Sequence, residues 1–184
     1  DLSVAMLNNL NPSFVLDLTA TPRNNSNIIS YVDARKLKTE NMVKLPVIVY
    51  NRTSRDSVID DAIHLRGIIE QQAIEEEERT GKYIRPIVLF QAQPKNNNDN
   101  DTFDKVKEIL LGRGIPTEQI AIKTSKVNDL GKTNLMSRDC PIRYIITVNA
   151  LKEGWDCPFA YILASLANKT SKVDVEQILG RILR

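Results

Sequence analysis

The sequence predicts an α/β fold built on a parallel sheet with helices on both faces. Two observations carry this expectation. Short runs rich in valine, isoleucine and leucine recur along the chain, as strands buried on both sides require. They alternate with longer stretches whose apolar residues return every three to four positions, the spacing of one helix face.

The elements follow in order. Phe14, Val15, Leu16 and Leu18 make residues 14–18 a short buried strand, and Pro22 stops regular pairing after it. Residues 23–41 are polar and read as a connection. Residues 45–50 form a second apolar run, with Pro46 at its start or on an edge. From about residue 56 to 80 the spacing of Val58, Ala62, Leu65, Ile69 and Ala73 predicts a long helix, stopped by Gly81. Four glutamates at 75–78 oppose the helix dipole, so this end is expected to fray. Residues 86–90 are a strand and 96–101 an exposed polar loop. Residues 103–111 are a helix ended by Gly112 and Gly114. Residues 119–123, 144–148 and 160–164 are three further strands.

The chain closes on a helix that starts after Ser171 and Asp174. Val175, Ile178, Leu179 and Ile182 fall on one face of it, and Gln177, Arg181 and Arg184 on the opposite face. Gly180 lies beside the polar stripe. An interior glycine costs roughly 1 kcal/mol against alanine, so something is expected to approach the backbone there. Two guanidinium forks on one stripe suit an anion such as phosphate. An amphipathic helix with a solvated basic face accounts for the same pattern.

Composition sets bounds. With 184 residues there is room for one domain, or one domain plus part of another. A 42% hydrophobic and 26% charged chain falls in the soluble globular class. A net charge of +2 is too small to argue for nucleic acid, though it leaves room for a local basic groove. Cys140 and Cys157 have neither CxxC spacing nor clustered histidines, which argues against zinc and against a disulfide framework. Free thiols in a reducing cytoplasm are expected. No 18-residue apolar run occurs, so no membrane span is expected. The chain opens at Asp1 with neither methionine nor a signal pattern and closes inside a predicted helix. It is therefore expected to be part of a longer protein.

In open parallel sheets ligands bind at the carboxyl ends of strands. Three unusual segments lie at such ends: 19–22, 91–94 and 149–158. In the third, Gly154 permits a tight turn and Asp156 can accept hydrogen bonds from sugar hydroxyls. A loop in which Trp155 covers the core and Asp156 caps backbone amides is the simpler reading. His64, the only histidine, falls mid-helix and is expected to be structural or solvent-facing.

Taken together and in order, these segments are more specific. Thr19-Ala20-Thr21-Pro22, a strand ending at Phe90, Gly154-Trp155-Asp156-Cys157-Pro158 and Gln177 to Arg184 resemble the superfamily 2 helicases and translocases. The wording from Leu151 to Pro158 resembles most closely the restriction (Res) subunit of type III restriction-modification enzymes. The resemblance implies RecA-like lobes with ATP and Mg²⁺ between them, held mainly by a first lobe. Residues 1–50 would be the tail of that lobe and 51–184 most of the second. Gln177, Arg181 and Arg184 would be the catalytic residues at the γ-phosphate, with Arg184 the arginine finger. Gly154, Asp156 and Gly180 would be nucleotide-binding, and Thr19 and Thr21 would couple hydrolysis to lobe movement. Gln91, Thr147, Asn149 and Lys152 would approach the DNA backbone. DNA and a methyltransferase (Mod) subunit are the implied partners, and the bacterial cytoplasm the implied location.

Departures limit the resemblance. No GxxxxGK[ST] occurs in the chain, nor an acidic motif to follow it. Val148 and Asn149 stand where many relatives carry threonine and aspartate. No nuclease constellation of paired carboxylates with lysine can be placed. The alternatives are a repair or remodelling helicase without a nuclease, and a RecA-like module that only binds partners or nucleic acid. A weaker rival is an unrelated doubly wound nucleotide-binding enzyme, against which no GxGxxG follows any strand.

Overall fold

The computed structural model describes residues 2–19, 27–40, 42–44, 47–93, 102–148 and 157–166. Backbone contacts divide the chain into two compact units, Asp1–Tyr31 and Val32–Arg184.

In the first unit the chain forms helix α1, Leu2–Leu10, which the sequence reading did not anticipate. Asn11, at a φ of 44°, ends it, asparagine being one of the few side chains tolerant of that region. The strand expected at 14–18 is absent. Its side chains are exposed, Leu18 by 88%, and the segment pairs with no strand. The apolar run at 47–50 likewise forms no strand, with Val49 80% exposed. The physical reason is the same in both cases. A strand exists only where a second backbone takes up its N–H and C=O groups, and apolar composition does not supply that partner.

The second unit begins with α2, Ala34–Thr39, a short helix inside the stretch read as a connection. Asp33 caps it, its Oδ1 accepting from the Lys36 N–H at 2.8 Å. Next comes α3, Arg55–Thr80, which buries Ile59, Ala62 and Ala73. Its far end is held rather than frayed. Gly81 adopts the left-handed conformation at a φ of 75° and donates its N–H to the Glu77 carbonyl at 2.7 Å. Arg79 pairs with Glu76, and Arg138 with Glu77, offsetting the glutamate run.

The rest is a parallel sheet of four strands: β1 Ile87–Gln91, β2 Ile120–Lys123, β3 Tyr144–Thr147 and β4 Ala160–Ser165, in the order β2-β3-β1-β4. Helix α4, Phe103–Gly112, joins β1 to β2 and is capped by the Thr102 hydroxyl. An α/β fold on an all-parallel sheet is therefore what this sequence builds. β1 is central and buried at every residue, which is why it reads as an unbroken apolar run.

The two faces are covered differently. Val88, Phe90, Ile122, Tyr144, Ile146 and Ala164 pack with Ile59 and Ala62 of α3 and with Val106 and Leu110 of α4. Both helices thus share one face. Leu89, Ala121 and Ile145 face the other side, where Leu130, Cys140, Ile142, Cys157 and Phe159, on connecting segments, cover them. Among the described residues no helix packs there, and the expected terminal helix lies outside them. No described helix is long and apolar enough to cross a membrane.

One polar network locks α3 to β3. Arg66 donates to the Tyr144 hydroxyl at 3.1 Å and to Glu70 at 2.7 Å, and Arg143 reaches the other Glu70 oxygen at 3.1 Å. Burial pushes the Glu70 carboxyl up. The hydrogen bond and charge of Arg66, joined by Arg143, outweigh that and hold it below the usual carboxylate range.

Candidate functional site

The four strands end together. Register pairs Lys123 with Thr147, Thr147 with Gln91, and Gln91 with Ser165, so one polar row runs across the carboxyl edge of the sheet. The row below it, Ile122, Ile146, Phe90 and Ala164, is apolar and packs toward the helices. By strand alternation the polar row belongs to the opposite face, the one covered by connecting segments. This edge is where a parallel sheet presents ligands to its loops.

Two of the four polar side chains are buried: Gln91 is 3% exposed and Thr147 1%. The Ser165 hydroxyl donates to Gln91 Oε1 at 3.0 Å, which leaves the Gln91 amide N–H groups unengaged by described residues. Backbone bonds continue past the strand ends, from Ala92 N–H to the Thr147 carbonyl and from Leu166 N–H to the Gln91 carbonyl. The Thr147 hydroxyl is buried without a hydrogen-bond partner among the described residues. Such a group costs about 1–3 kcal/mol in the folded state.

That cost gives a direct test. Thr147→Val keeps the shape and removes the unpaired hydroxyl. The variant is expected to gain about 1 kcal/mol in urea denaturation of the 184-residue chain, seen as a higher midpoint at unchanged slope. A lower midpoint would mean that the hydroxyl is satisfied and that no stability is given up at this edge.

The structure brings Gln91 and Thr147 side by side, as neighbours on β1 and β3. Their burial means that neither side chain lies open to solvent. Thr19 lies exposed in the first unit, and Thr21 lies outside the described residues. So do Asn149, Lys152, Gly154 and Asp156, although the sequence sets them directly after β3 and before β4. Gln177, Gly180, Arg181 and Arg184 also lie outside them. His64 is exposed on α3 and joins no cluster; among the described residues no three His, Cys, Asp or Glu side chains group as a metal site.

Sequence reasoning passed over Lys123 and Ser165, the two ends of the row. A signal existed for Lys123: a lone lysine closing an apolar strand, with a turn-forming Thr124 and Ser125 after it. Compared with family models and with curated proteins, the chain matches none.

Proposed function

We propose that this chain is part of an ATP-dependent DNA translocase, similar to the Res subunit of type III restriction enzymes. The observation that carries the reading is the order of the motif-bearing segments along a parallel sheet. Gln91 closes the central strand, Thr147 closes its neighbour, and the segment from Asn149 to Asp156 follows β3 in the sequence. The buried, partly unsatisfied polar pair supports it, because a stability cost at a strand edge is characteristic of a ligand-facing position.

In this reading Gln177, Arg181 and Arg184 form the arginine side of an ATP cleft, opposite a lobe that carries the P-loop and Mg²⁺ ligands. Two guanidinium groups stabilise the charge that develops as the γ-phosphoryl group transfers. Gly154, Asp156 and Gly180 lie against the nucleotide, and Thr19 and Thr21 couple hydrolysis to movement. Asn149 and Lys152 serve the DNA backbone, a contact that carries no sequence information, while the buried Gln91 and Thr147 fix the strand ends at that edge rather than touching DNA themselves. Sequence choice then falls to a methyltransferase partner.

The reading makes a plain demand of the 184-residue chain, which contains no P-loop. Purified alone, it is expected to hydrolyse no ATP above background with Mg²⁺ and DNA present. Steady Mg²⁺-dependent turnover from this chain would overturn the assignment.

A further inference from the structure

An open cleft of about 320 Å³ lies beside Lys123, on the sheet face that no described helix covers. Lys123, Asn128, Thr133 and Asn134 supply its polar lining, and Leu130, Leu135, Met136 and Cys157 much of the apolar lining. Its volume is at the lower end for small-molecule sites.

The walls are fixed by the local chain. Lys123 and Asn128 face each other across an isolated antiparallel bridge, and Ile122 and Asp129 exchange bonds beside it at 3.0 Å each. Gly131, at a φ of 47°, donates its N–H to Asn128 Oδ1. Asn134 Oδ1 accepts from the Met136 N–H at 3.0 Å. Behind Leu135, the fully buried Arg85 guanidinium donates to the carbonyls of Leu135 and Ser137.

The chemistry of the lining is one-sided. Both asparagine carbonyls are taken by backbone, so each amide offers its N–H groups. Among the described residues the Lys123 ammonium has no hydrogen bond or ion pair, and none of them brings a carboxylate into the lining of the cleft. Arg85, 1% exposed, also pairs with no carboxylate among the described residues, and its Nε–H has no partner. Cys157 adds a neutral floor. Burial pushes its thiol up, against the opposing pull of backbone hydrogen bonds from Phe159 and Ala160 and, behind them, of the Lys44 and Arg85 charges.

We propose that this cleft binds a small phosphomonoester, with the phosphate against Lys123, Asn128 and Asn134 and the esterified group on Leu130, Leu135 and Met136. Two cations, one in the wall and one behind it, match a dianion better than a single carboxylate. Several donors from separate segments match its three terminal oxygens. This site stands apart from the motor reading and does not depend on it.

The test is NMR titration of the 184-residue chain with three probes: phenyl phosphate, benzoate and a thymidine oligonucleotide with hydroxyl ends, which carries only phosphodiesters. Phenyl phosphate is expected to bind most tightly and to move the amide signals of Lys123, Gly131, Asn134 and Met136. Lys123→Met should weaken it about tenfold or more, as loss of a charged hydrogen bond implies. Asn134→Asp keeps the acceptor for Met136 but turns the donor into an anionic oxygen, and should abolish saturable binding. Both variants are expected to keep the parent urea midpoint within error, since neither side chain is core. Unchanged affinity in either variant overturns the proposal. So does tighter binding of benzoate, or of the oligonucleotide, which would make the cleft a carboxylate site or a stretch of backbone track.

Discussion

In a protein that joins this chain to a P-loop lobe, Arg184→Ala is expected to lower ATP turnover by about 10³-fold, equivalent to about 4 kcal/mol of transition-state stabilisation. ATP binding should change little. Helical spacing in the sequence sets Gln177, Arg181 and Arg184 on one stripe, opposite Val175, Ile178, Leu179 and Ile182. A guanidinium presented from the second lobe meets charge that is larger in the transition state than in bound ATP. Its loss therefore falls on kcat more than on affinity. Arg184→Lys separates charge from geometry. A lysine keeps the charge but loses the planar fork, so it should recover only a small part of the rate. If Arg184→Ala weakens ATP binding as much as it slows turnover, Arg184 is a ground-state or structural contact, and the finger role fails.

The sequence and the structure agree where burial alone decides the outcome. β1 and β3 are runs of apolar residues because both of their faces are covered, while β4, at the sheet edge, buries alternate residues; the period of α3 shows because one side meets that sheet. Agreement fails where structure is a relation between distant segments. Residues 14–18 and 47–50 are as apolar as β1, yet neither pairs with a strand among the described residues, and both are exposed. The frayed end expected of α3 ignored Gly81 as a cap and Arg138 as a partner from 61 residues further along the chain. α2 escaped notice because one capping Asp33 and six mostly polar residues carry little periodic signal.

The candidate edge divides in the same way. Gln91 and Thr147 could be singled out from the segments they belong to. Their neighbours Lys123 and Ser165 could not, because a shared row depends on register between strands far apart in sequence. The empty hydrogen-bonding capacity of Thr147, and the donor-rich lining beside Lys123, follow from which carbonyls the backbone has already taken. No residue-type pattern records that.

Phe90→Ala is expected to be the costliest truncation in the core, at about 3–5 kcal/mol of a total folding stability of about 5–15 kcal/mol. Phe90 is fully buried in the central strand, between β3 and β4, and stacks on Tyr144 with ring centroids 6.4 Å apart. α3 and α4 cover this one face, and Phe90 lies in the cluster that they share. The cost of such a cavity depends on how far its walls can close. Here they are tethered: the Tyr144 hydroxyl is held by Arg66, Arg66 by Glu70, and Glu70 in turn by Arg143. The upper part of the range is therefore expected. Phe90→Leu, which refills most of the volume, should lose less than half as much. Urea denaturation of the 184-residue chain reads the result as a lowered midpoint at unchanged slope. A loss below about 1.5 kcal/mol for Phe90→Ala would mean that the two helices do not share this face.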